Sequence, residues 1–127
     1  MELGYKRKFR QSFAEVEKKM REALTNEGFG IITEIDAKAT FKKKLDVDFE
    51  DYLILGACHP QSAHALLSTD KELGLLLPCN VIIYQSNEET VVSAIMPRQM
   101  LAMVDHEELA AVAVEIEEKL KRAIDNL

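Results

Sequence analysis

The sequence predicts an α+β fold of two layers, a mainly antiparallel five-stranded sheet with helices packed on one face. Three observations predict it. Two segments, one near each end of the chain, repeat apolar residues at helical spacing and are polar elsewhere. Five short segments rich in β-branched and aromatic residues lie between them, bounded by turn signals. Only one pair of those segments is joined tightly, and neither long helix is apolar all round, so both helices are best buried on one side of a sheet. A chain of 127 residues fits one domain covering 1–127.

Taken in order, residues 2–9 alternate Leu3, Tyr5 and Arg7 with Lys6 and Lys8 and end in Phe9, the pattern of a short strand. Ser12-Phe13-Ala14-Glu15 reads as a capping box. Phe13, Val16, Met20 and Leu24 then give a first helix over 13–27, with Gly28 at the left-handed stop. Phe29 to Asp36 is a second strand. Ala37, Phe41 and Leu45 recur every four residues among Lys38, Lys42, Lys43 and Lys44, the signature of a short basic helix, and an acidic loop with Asp46, Asp48, Glu50 and Asp51 follows. Tyr52 to Cys58 barely alternates, which predicts a third strand buried on both faces.

Pro60 suits the first turn of a helix carrying Ala63, Leu66 and Leu67 inward. Asp70 opens another turn that Gly74 ends. Cys79 to Gln85 is strand four, Ser86-Asn87-Glu88-Glu89 a hairpin loop, and Thr90 to Met96 strand five, which Pro97 breaks. Arg98 to Val104 is a short helical connection. Asp105-His106-Glu107-Glu108 looks like a second capping box, with His106 solvated, before a long helix built on Leu109, Val112, Ala113, Ile116, Leu120 and Ala123. Met96, Met100 and Met103 cluster near Pro97 and suit either the core or a dimer contact.

Composition excludes several functions. The absence of tryptophan and the few aromatics argue against a carbohydrate platform or base stacking. A net charge of −6 disfavours nucleic acid, since phosphate neutralisation needs a basic face. No apolar run approaches the ~18 residues of a membrane span, and Met1 to Lys6 lacks the apolar region of a signal peptide, so a cytoplasmic protein off the membrane is expected. Charge is uneven: residues 1–23 hold seven Lys/Arg against four Glu, and residues 105–127 hold three against seven acids. Such ends can meet within one subunit or between two, or can be two solvated helix faces. No Gly-rich loop accompanies the lysines, so there is no nucleotide P-loop. Ser62, Ser68 and Ser93 lack the context of a nucleophile elbow.

Three blocks stand out: Gly28-Phe29-Gly30-Ile31-Ile32-Thr33-Glu34-Ile35-Asp36 with the lysine-rich helix after it, Leu55-Gly56-Ala57-Cys58-His59-Pro60, and Gly74-Leu75-Leu76-Leu77-Pro78-Cys79-Asn80-Val81. In this order they resemble the domain-of-unknown-function-302 family (DUF302) over essentially the whole chain. The family pattern usually has Asn where this chain has His59. The resemblance implies a two-layer fold like that of the TATA-box-binding protein, in the order β-α-β(4)-α, and a homodimer. It implies no activity, and DNA binding does not follow from a shared fold.

Cys58 and Cys79 are the first candidates for chemistry. They are 21 positions apart, so neither a CxxC motif nor a zinc knuckle is present. If strand four enters the sheet near the exit of strand three, both sulfurs reach one sheet edge beside a helix N-terminus, where a thiol pKa falls. With His59 and His64 they would form a set for a thiophilic metal such as zinc, for Cu(I) or for a persulfide. The alternatives are two small buried hydrophobes or a functional disulfide. Glu34 and Asp36 share a strand face and suit acid–base work or a cation, or are an exposed edge paired with Lys38 or Lys42. Lys38 and Lys42 share a helix face and suit an anion, or simply shield Phe41 and Leu45 with their stems. Three functions stay open: a small-ligand or metal-binding module near Cys58, His59 and Cys79 (with Glu34 and Lys38 as further ligand contacts), a thiolate enzyme with His59 or His64 as base, and a structural or regulatory dimer.

Overall fold

The structure, a computed structural model, describes residues 3–127. Five strands, β1 (Gly4–Phe9), β2 (Gly30–Asp36), β3 (Tyr52–Cys58), β4 (Cys79–Ser86) and β5 (Glu89–Ile95), form one sheet in the order β1-β5-β4-β3-β2. Every neighbouring pair is antiparallel. The helices are α1 (Phe13–Asn26), α2 (Ala37–Leu45), α3 (Pro60–Thr69), α4 (Pro97–Leu101) and α5 (Ala110–Asp125), with 3-10 turns at Lys71–Leu76 and Glu107–Leu109. The expected α+β architecture is therefore observed. The expected first strand starts at Glu2, which lies outside the described residues.

Local chemistry sets the boundaries. The Ser12 hydroxyl accepts from the Glu15 amide at 3.2 Å and starts α1. The chain leaves that helix through Gly28 at φ 87°, a conformation a side chain would strain. Asp36 caps α2 by accepting from the Ala39 amide at 2.9 Å. Asn87 takes the left-handed region at φ 56° in the two-residue turn between Ser86 and Glu89.

One sheet face carries Leu55, Val81, Ile83 and Val92, each fully buried, against Met20 and Leu24 of α1 and Leu120 and Ile124 of α5. The basic start and acidic end of the chain meet within the subunit. Arg7 donates to the carbonyls of Ile124 (3.1 Å) and Asp125 (3.0 Å), closing the negative end of α5, and the Tyr5 hydroxyl donates to Asp125 at 2.7 Å. Arg122 pairs with Glu27 of the segment after α1 at 3.1 Å.

Some expectations need correction. β3 is buried on the helix side, but Tyr52, Ile54 and Cys58 are only half-buried, because no long helix covers the reverse face. Gly74 lies inside the 3-10 turn rather than ending it. Residues 105–108 form no capping box, since the chain passes through a 3-10 turn with no side-chain cap before α5 begins at Ala110. His106 is not simply solvated: its Nε2 lies 2.8 Å from Asp70, tying the start of one 3-10 turn to the start of the other. That hydrogen bond raises the His106 pKa and lowers that of Asp70. The methionines divide: Met96 is buried in the core, Met100 packs beside it, and Met103 is exposed. Among the described residues no helix is long and apolar enough to cross a membrane.

Candidate functional site

A cavity of about 300 Å³ opens where β3 exits and β4 enters, roofed by α3 and floored by Ile116 of α5. The register places Ala57 beside Cys79, so two segments remote in sequence meet there. Gly56 makes the neighbouring close packing possible. A Cβ at that position would overlap Thr33 Oγ1 and sit 2.7 Å from Pro78 Cγ. Thr33 lies at a register shift in β2, which bends that edge strand beside the cavity.

Phe29, Ile32, Leu66, Leu67 and Leu77 supply most of the wall, and its polar groups are the two thiols, His59 and Ser62. His59 occupies the N-cap of α3, a position set by Pro60 at the first helical residue. Its Nδ1 lies 2.8 Å from Ser62 Oγ, and its ring meets Phe29 edge-on with centroids 5.6 Å apart. Gly28 leaves room for this ring, since a Cβ there would come within 3.4 Å of His59 Cδ2. The imidazole is thereby fixed by three neighbours.

Both cysteines are free, Cys58 half-buried and Cys79 buried. Burial pushes the Cys79 thiol up to about 11, and the nearby Cys58 adds to the effect. This runs against the lowered thiol pKa expected near the helix end. Cys79 begins a strand and faces the core, where desolvation outweighs any field from α3.

The remaining sequence candidates lie elsewhere. His64 is exposed on α3 and does not line the cavity. Glu34 forms an ion pair with Arg21 of α1. Asp36 is committed to its cap, Lys38 lies 3.4 Å from Asp51, and Lys42 reaches both Asp46 and Asp48. Glu34 and Asp36 do line one shallow groove on the α1 side, together with Glu17 and Asp51. Among the described residues, no group of three His, Cys, Asp or Glu side chains is placed to hold a metal ion. What the structure brings together is thus Cys58, His59 and Cys79, joined by Ser62. Ser62 was legible as the residue three positions after the His59 cap, where a side chain reaches back to the cap.

Fold and site define a small α+β protein with an apolar cavity at one end of an open antiparallel sheet. The chain belongs to the family described as Domain of unknown function DUF302, whose model matches residues 5–127. It is similar in structure to the uncharacterized conserved protein DUF302 from Bacillus stearothermophilus, with a TM-score of 0.90 and 27% identity over 98% of each chain. No curated protein matches.

Proposed function

We propose that this chain is a binding module whose cavity takes a small, largely apolar molecule with one polar group directed at Cys58, His59 or Ser62. The observation that carries this reading is the character of the wall: an apolar enclosure of about 300 Å³ in which the few polar groups converge at one end. Ligand sites commonly combine such an apolar lining with a few placed polar groups, and this volume falls at the small end of their range. A thiolate enzyme is disfavoured for Cys79, which burial holds as a neutral thiol at physiological pH. A shared metal is disfavoured by the lack of a third grouped ligand. Both cysteines are unpaired, which suits a reducing compartment, and we place the protein in the cytoplasm.

The reading is tested by titrating the protein with N-phenyl-1-naphthylamine, a neutral fluorophore, against the clean background of a chain without tryptophan. Saturable binding is expected, weakened about tenfold or more by Ala63→Phe, which fills the cavity, or by Leu67→Lys, which brings a charge to its wall. Absence of saturable binding, or binding that neither variant alters while both stay folded, contradicts it.

A further inference from the structure

The side of the sheet opposite α1 and α5 has an ordered surface of its own. Its register gives two rows across the strands. One runs Lys8, Val91, Tyr84, Tyr52, and the other Lys6, Ser93, Ile82, Ile54, Ile35. Each row begins with an exposed lysine on edge strand β1 and continues into apolar side chains. Ile35 is 51% exposed and Phe49 40% exposed. The rings of Tyr52 and Tyr84 stack 5.4 Å apart, and Phe49 extends them toward the acidic loop. Among the described residues Lys6, Lys8 and Glu50 take part in no ion pair.

We propose that this face is the contact between two copies of the chain. They pack face to face about a two-fold axis running along the strands, so that Lys8 of each copy meets the Glu50–Tyr52 corner of the other. The charges select the axis. Two sheets can be related by a two-fold axis either along or across their strands. An axis along the strands reverses strand order between the copies, so β1 lies over the β2–β3 side and each lysine finds an acid and a tyrosine ring. An axis across the strands lays β1 over β1 and gathers Lys6 and Lys8 of both copies, a like-charge arrangement that costs affinity. Aligned strands also match the usual packing of sheet on sheet.

The size is adequate. Five strands at ~4.8 Å spacing and ~7 residues long give a footprint of roughly 550 Å² before side-chain corrugation, close to the ~800 Å² per partner of a stable interface. Pairing through sheet edges is less favourable. The β1 edge carries Lys6, Arg7 and Lys8, and the register shift at Ile31/Thr33 blunts the β2 edge. The proposal is independent of the cavity and of any ligand.

The test is the solution mass by sedimentation equilibrium, up to about 100 µM, a range that spans weak dimers. A dimer is expected. Ile82→Lys, at a half-buried surface position, should yield monomer with an unchanged circular dichroism spectrum. Lys8→Glu should weaken the dimer about tenfold, and adding Glu50→Lys to it should restore affinity to within about threefold, since the pair is then reversed rather than broken. The exposed charge variants decide the matter if Ile82→Lys fails to fold. A monomer throughout overturns the proposal. So does a dimer that these variants leave unchanged, which would place the contact at a sheet edge, and so does a Lys8→Glu effect that Glu50→Lys deepens.

Discussion

The two thiols should differ sharply in reactivity, and the difference follows from burial. With its pKa pushed up to about 11, Cys79 is ionised at pH 8 to only about one part in a thousand. An unfolded cysteine with a pKa near 8.5 is about one quarter thiolate at that pH. Ionisation alone therefore slows Cys79 about 240-fold. The more basic thiolate is the better nucleophile, and a Brønsted slope of ~0.4–0.5 returns a factor of about 10–18. A net retardation of about 10–25-fold remains before restricted access is counted, and burial of Cys79 adds to it. The assay is Ellman's reagent at pH 8, with stopped-flow mixing. Wild-type protein should release one equivalent of chromophore quickly and a second slowly, and both quickly in denaturant. Cys58→Ser should leave only the slow phase, somewhat accelerated because the smaller of the two causes of the Cys79 shift is removed. A Cys58→Ser protein that reacts as fast folded as unfolded would refute the reasoning.

Further outcomes follow from the same packing. Gly56→Ala should cost about 1–3 kcal/mol in urea unfolding, the usual range for overpacking, because its Cβ would overlap Thr33 Oγ1 and press on Pro78. A loss below ~0.5 kcal/mol would mean that the bulge of β2 yields freely. The Asp70–His106 contact should give stability a pH window. The raised His106 pKa contributes stability fully present below its unfolded value of 6.5 and lost as pH rises through the folded value. The lowered Asp70 pKa contributes stability present above its unfolded value of 3.8 and lost as pH falls through the folded value. Asp70→Asn keeps a capping side chain for the Glu72 amide and removes the charge. Its destabilisation should therefore be greatest between those two pH values and fade at alkaline pH. A destabilisation that is flat with pH would contradict the contact.

Much of the fold was legible because its elements are locally specified. Tyr52 to Cys58 is a strand with the bounds its β-formers predict, and α1 begins where Ser12 can cap it. The errors fall where tertiary contacts override local signals. The Asp105–Glu108 segment has helix-start chemistry, yet His106 is drawn to Asp70, 36 residues away, and the chain enters α5 through a 3-10 turn. At the site, Cys58 and His59 are placed by a strand end and a Pro-started helix, both readable from Leu55 to Pro60. The meeting with Cys79 depends on the β3–β4 register, which the local sequence leaves open. The raised Cys79 pKa depends on burial by residues from several elements, and no spacing rule encodes that. Glu34 and Lys38 were candidates on charge alone, and their partners, Arg21 and Asp51, each lie 13 positions away.

The central claim is that Cys58 lines a cavity open to a small apolar molecule. The most direct measurement is the rate at which Cys58 reacts with Ellman's reagent in the presence of saturating N-phenyl-1-naphthylamine, using Cys79→Ser protein so that one thiol reports. Occupancy should slow the reaction at least about fivefold, because the bound molecule covers the sulfur. A rate unchanged at saturation would show that the fluorophore sits elsewhere or that the cavity does not admit it.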